Sequence, residues 1–168
     1  KMTTEVGLNS GTSNSVFGVV KRTPSIVGGV QFYLDGTSSV THYSVNLFIF
    51  DLDAKGNPTN KILYKNTYVP VTDGQWNTYT LPASVDAPNG YFVAISYDGF
   101  IGIGLDGGGD TTKYPFAKNT NCFASDYTTG TFGYIDAQST EAFHRNFMMR
   151  PIAAPYTVDD DSTEFMAP

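Results

Sequence analysis

His42, His144 and Cys122 are the side chains best suited to proton transfer or nucleophilic attack. A cysteine and a histidine can make a thiolate nucleophile when something holds the charge that develops. Cys122 lies in Asn121-Cys122-Phe123-Ala124, which is not a nucleophile setting, and reads as a small buried hydrophobe. Neither a Gly-x-Ser-x-Gly elbow nor a His-Glu-x-x-His pair occurs. The histidines stand about a hundred residues apart, so a zinc triad would have to lean on aspartates. Glycoside hydrolysis needs two carboxylates at a set separation. Glu141 and many Asp are available, but Asp73-Gly74, Asp98-Gly99 and Asp106-Gly107 are turn dipeptides in which Asp serves local hydrogen bonding.

Hard-cation chemistry has better footing. Calcium takes six to eight oxygens from carboxylates, amides and carbonyls. Asp51, Asp53 and Asn57 flank Gly56 like the opening of a calcium loop, while turn chemistry accounts for the same residues without a metal, as a hairpin loop with solubilising Asp. Lys55 at the fifth position and Ile62 at the twelfth exclude an EF-hand. Asp106 and Asp110 bracket three glycines whose flexible backbone can turn carbonyls inward. The same two carboxylates would repel a phosphate, so this is not a phosphate loop. Sugar recognition is the remaining chemistry: rings to stack on a pyranose face, with polar groups to orient it. The candidate rings are Phe48, Phe50, Trp76, Tyr114, Phe116 and Tyr127. Arg145 and Arg150 on the closing strand are expected to pair with Asp or meet a ligand.

The elements that must hold these groups are strands. The 168 residues are about one domain's worth, with 17 Gly, 9 Pro and thirteen Asp against three Glu. That skew favours turns and strands over helices. Aromatics at 14% and charged residues at 15% exclude a disordered chain and a coiled coil. A net charge of −6, with no basic cluster beyond Lys21-Arg22, argues against nucleic acid. No run of eighteen apolar residues predicts a membrane insertion. One cysteine allows no internal disulfide.

Strands are predicted over 16–21, 30–34, 44–50, 62–69, 76–81, 90–97, 101–105, 122–127, 131–136 and 146–152. The strand over 101–105 is expected to pair with 90–97 across Asp98-Gly99. The strand over 44–50 is apolar on both faces, so it is either covered twice or faces a ligand. The one helical candidate is 140–144. About ten short strands predict an all-β, two-sheet β-sandwich of the jelly-roll kind over residues 1–153. Residues 154–168, with Asp159-Asp160-Asp161, read as an acidic linker or tail. The start of the chain carries no signal-peptide pattern, and with the tail it suggests a piece of a longer protein.

The order of several segments carries a resemblance. Val30-Gln31-Phe32-Tyr33-Leu34 leads to Tyr43-Ser44-Val45-Asn46-Leu47-Phe48-Ile49-Phe50, then Gly56-Asn57-Pro58 and Ile62-Leu63-Tyr64. Gly74-Gln75-Trp76-Asn77-Thr78-Tyr79-Thr80-Leu81-Pro82 and Gly90-Tyr91-Phe92-Val93-Ala94-Ile95 follow, and Phe147-Met148-Met149-Arg150 closes. Over residues 16–153 this resembles the cleaved-adhesin domains of gingipain proteases and haemagglutinins, and related modules of large bacterial surface proteins. The stretches 37–42 and 106–110 depart from the pattern. The resemblance implies a galactose-binding-like sandwich that is secreted or on the cell surface. It also implies a fold often stabilised by calcium, used in adhesion or attached to a protease. It carries no fixed ligand motif.

The expected function is therefore a non-catalytic adhesion module of a larger exported protein, recognising host protein or glycan through loops. Calcium, if bound, would be structural. Alternatives are a carbohydrate-binding module accessory to a glycan-degrading enzyme, a spacer domain beside a protease, and an enzyme with two facing carboxylates.

Overall fold

The computed structural model describes residues 2–8, 12–36, 39–106, 115–138 and 145–154, with 2–8 and 138 as backbone. Twelve strands are described: β1 (Met2–Leu8), β2 (Val16–Lys21), β3 (Ser25–Tyr33), β4 (Ser44–Leu52), β5 (Pro58–Pro70), β6 (Trp76–Ala87), β7 (Tyr91–Ser96), β8 (Ile101–Asp106), β9 (Asn121–Ala124), β10 (Gly133–Tyr134), β11 (Asn146–Phe147) and β12 (Met149–Ala153). A 3-10 turn covers Tyr127–Thr129 and a four-residue helix, α1, covers Ile135–Gln138. The helical candidate 140–144 lies outside the described residues, as does 155–168.

All pairings between strands are antiparallel. A six-stranded sheet runs β10-β9-β2-β7-β4-β5. Two three-stranded sheets, β1-β8-β11 and β12-β3-β6, join into the opposing layer. The chain from Asn146 to Ala153 is the seam: β11 pairs with β8 and β12 pairs with β3. Met148 bonds both neighbours, donating to Gly104 O and accepting from Tyr33 N. A bridge between Leu34 and Ile103 closes the junction. The expected pairing of β7 with β8 is not formed. After Asp98-Gly99 the chain crosses to the second layer, where Ile101, Ile103 and Leu105 enter the core.

Two apolar clusters sit on the two faces of the larger sheet. Leu47, Ile49, Val93 and Ile95 meet Val30, Phe32, Ile103 and Met149 between the layers. On the reverse face Val16, Val20, Phe48, Phe50, Phe92 and Cys122 are covered by Tyr127, Phe132 and Tyr134. The double apolar pattern of β4 thus reflects burial on both sides. At Gly18 an added Cβ would stand 1.9 Å from Val93 O, so β2 and β7 approach as only glycine allows. At the sandwich edge Asn66 Nδ2 on β5 donates to Tyr79 Oη on β6 at 2.7 Å. Tyr64 and Tyr79 hydroxyls lie 2.9 Å apart, so hydrogen bonds hold the two layers together there.

Candidate functional site

The connection from β4 to β5 is built as a turn by its own side chains. Asp53 Oδ1 accepts the backbone N–H of Lys55 at 2.8 Å and of Asn57 at 2.9 Å. Gly56 takes φ +80°, where a side chain would be strained. Arg22, just past β2, lies against this turn and donates Nε–H to Gly56 O at 3.0 Å.

The segment between β9 and β10 forms the facing wall. Asp126 caps the 3-10 turn by accepting from Thr128 N, and Gly130 ends it at φ +75°. Tyr127 then points into the sheet against Phe48 and Phe50, with centroids 5.0 and 5.4 Å away. Phe132 is anchored edge-on against Phe50 and Phe92, both at 5.8 Å. Tyr134 donates its hydroxyl to Asn57 Oδ1 at 2.8 Å and accepts from Arg22 at 2.9 Å. This relay ties the two walls together. Burial pushes the Tyr134 hydroxyl upward, with Arg22 opposing, so it stays a neutral donor.

Between the walls lies an open cleft of about 470 Å³, lined by Asp53, Asn57, Pro58, Gly130, Thr131, Phe132 and Tyr134. A neighbouring hollow of about 370 Å³ shares Thr131 and Phe132 and reaches Ser125 and Asp126. Two aromatic rings, a carboxylate, an amide and a hydroxyl converge on one volume. That combination suits a polar ligand with an apolar face.

The expected site residues scatter. Asp53 and Asn57 line the cleft, but as turn-makers: Asp53 Oδ1 is taken by backbone N–H groups and Asn57 Oδ1 by Tyr134. Asp51 faces Leu52 N, Asn89 and Lys61, the last at 3.8 Å. Asp106 ends β8, half-buried, opposite Asn146. Asp110, Tyr114, Glu141 and His144 lie outside the described residues. No group of three or more His, Cys, Asp or Glu placed to hold a metal occurs among the described residues.

Among the aromatic candidates, Phe48 and Phe50 are buried and Tyr127 covers them, so these rings fill the core instead of presenting a platform. Phe116 is half-buried ahead of β9. Trp76 lies on the other layer. The wall residues Arg22 and Thr131 were not singled out, and Phe132 and Tyr134 stood out only as part of the ring-rich stretch Phe123 to Tyr134. Their signal was the ring-rich run Thr128-Thr129-Gly130-Thr131-Phe132-Gly133-Tyr134, whose end was read as a strand and forms β10.

Among the described residues, Cys122 and His42 are held by their surroundings. Burial pushes the Cys122 thiol up to about 12. His42 sits between two acceptors, with Nδ1 2.7 Å from Asp73 Oδ1 and Nε2 2.6 Å from Phe100 O. Its own N–H donates to Asp73 Oδ2 at 2.8 Å. This cluster joins three loops just ahead of β4, whereas the cleft follows the end of β4. The strand's nine residues separate them by roughly 30 Å. Comparison with protein-family models, curated proteins and solved structures finds no match for this chain.

Proposed function

We propose that the chain is a non-catalytic binding module, an adhesion-type domain of an exported protein, which holds a glycan in the cleft between 53–58 and 130–134. The convergence of Phe132 and Tyr134 with Asp53, Asn57 and Thr131 carries this reading. A sugar offers an apolar C–H face for a ring and hydroxyls for the carboxylate, amide and threonine. The sheet beneath is packed on both faces, so the loops stand on a rigid base and little ordering entropy opposes binding. The locked states of Cys122 and His42 favour binding over covalent chemistry. A jelly-roll order of the connections and a structural role for any calcium belong to the same proposal. The accessory carbohydrate-binding reading uses the same cleft and differs in what the module is attached to.

The test is a printed glycan array followed by calorimetry on the strongest hit. T131A, which removes a hydroxyl that meets the ligand, and Y134F, which unties the two walls from each other, are each expected to weaken that hit at least about tenfold. Binding to no glycan, or binding that both variants leave intact, would overturn the proposal.

A further inference from the structure

A second surface, independent of the cleft, lies on the outer face of the smaller layer. Along β3, Val30 and Phe32 point into the core, so Gln31 and Tyr33 point outward. Trp76 is the register partner of Tyr33, and Arg150 and Thr78 are the partners of Gln31 on either side. Arg150, exposed, lays its guanidinium over the Trp76 indole at 4.5 Å from the ring centroid. Tyr33 props the other edge of the indole at 5.9 Å, its hydroxyl donating to Gly74 O at 3.0 Å. Gln31 Nε2 donates to Thr78 Oγ1 at 3.0 Å, which leaves the Gln31 carbonyl for a donor from outside. No ion pair to Arg150 is formed among the described residues.

We infer that this face is a ligand site for a sugar bearing a single carboxylate, a uronic acid being the simplest case, with Arg150 as its anchor. A guanidinium held over an indole has lost part of its freedom, and with no ion pair formed its N–H groups can meet a carboxylate. The Gln31 carbonyl and the Thr78 hydroxyl stand in the same row to meet sugar hydroxyls. A peptide fits less well. An added peptide strand would pair with the backbone of β6 or β12 at the sheet's ends and would bypass the face that carries Gln31, Trp76 and Arg150. A polyanion also fits less well, because the chain carries a net charge of −6 and the patch one cation.

Trp76 is the sole tryptophan, so its fluorescence reports this face alone. The whole chain is titrated with sodium glucuronate, and with glucose, acetate and a short Glu-rich peptide as controls. Glucuronate is expected to give a saturable change with a Kd of about a millimolar, typical of one small ligand. R150Q is expected to raise that Kd at least about tenfold. R150K is expected not to restore it, because an ammonium lacks the planar fork. T131A and Y134F, on the cleft, are expected to leave the titration unchanged, so failure at one site is separable from failure at the other. Glucose or acetate acting as strongly as glucuronate, tighter binding of the peptide, or an R150Q or R150K titration equal to wild type would overturn the inference.

Discussion

Replacing His42 with alanine removes one side chain that pins three loops. The ring is buried, with 1% of its side chain exposed, and the Asp73 side chain is 20% exposed. Three losses can be set against the structure. The charge-assisted contact to Asp73 is worth about 1.5–3 kcal/mol, the lower end applying because water reaches the carboxylate. The contact to Phe100 O adds about 1 kcal/mol, and leaving that carbonyl without a donor makes the loss harder to recover. The edge-on packing with Tyr97, at 4.5 Å between centroids, adds about 0.5–1.5 kcal/mol if His behaves as other ring pairs do. The total is about 3–4 kcal/mol, in line with breaking other buried pairs. For a chain of this size that corresponds to a fall in Tm of about 10 °C. Urea unfolding and calorimetry on H42A, D73A and the double variant measure both the loss and the coupling. A loss under about 1 kcal/mol, or additive single variants, would refute the account of His42 as the latch of this end. The cleft at the other end of β4 is expected to keep its ligand in H42A.

Three further outcomes follow from particular contacts. G18A drives a methyl group to within 1.9 Å of Val93 O; the strands must part, at a cost of about 3 kcal/mol or more by urea unfolding, and a change under about 1 kcal/mol would contradict the close approach. Cys122 ionises at about 12 in the fold against an ordinary 9.0. The unfolded chain therefore releases that proton first, and stability falls as pH rises from about 9 to 12, by up to ~1.4 kcal/mol per pH unit. C122A is expected to keep the part due to the tyrosines that burial raises, Tyr91 from 10.0 to about 12 together with Tyr64 and Tyr134, so the decline begins near pH 10; an unchanged decline from pH 9 would count against a buried thiol. D53A loses two backbone contacts and about 1–2 kcal/mol, equally in calcium and in EDTA; a calcium-dependent rise in Tm that D53A abolishes would show that Asp53 ligates the ion.

Much of the strand pattern was legible because alternation is a local property. β2, β4 and β7 read clearly: their β-branched and aromatic runs leave little choice of backbone. Turn chemistry was legible for the same reason, with Asp53 and Gly56 placed together. Strand ends were read short where the apolar signal stopped before the pairing did. β3 extends back to Ser25 and β6 on to Ala87, because a partner strand can hold exposed polar residues in register. β1 was missed, since Met2–Leu8 is held by β8 across nearly a hundred intervening residues. Cys122–Tyr127 divides into β9 and a 3-10 turn, and Thr131–Asp136 into β10 and the start of α1. In both places caps and packing override the run of β-formers.

By itself, then, the sequence determined an all-β chain of short antiparallel strands, doubly apolar at β4, with a turn built on Asp53 and Gly56. Tertiary structure alone decided which apolar face meets which. Phe48 and Phe50 were as good a sugar platform as Trp76 by composition. The 3-10 turn laid Tyr127 over the first two, while β12 set Arg150 upon the third. Tertiary structure also sent β8 to the far layer and brought residues 53–58 against 130–134. The reason is physical: a residue's type sets which surroundings it favours, and that preference is local. Whether a ring ends in the core or at a site depends on what the chain folds over it from far along its length, and no spacing within one strand encodes that.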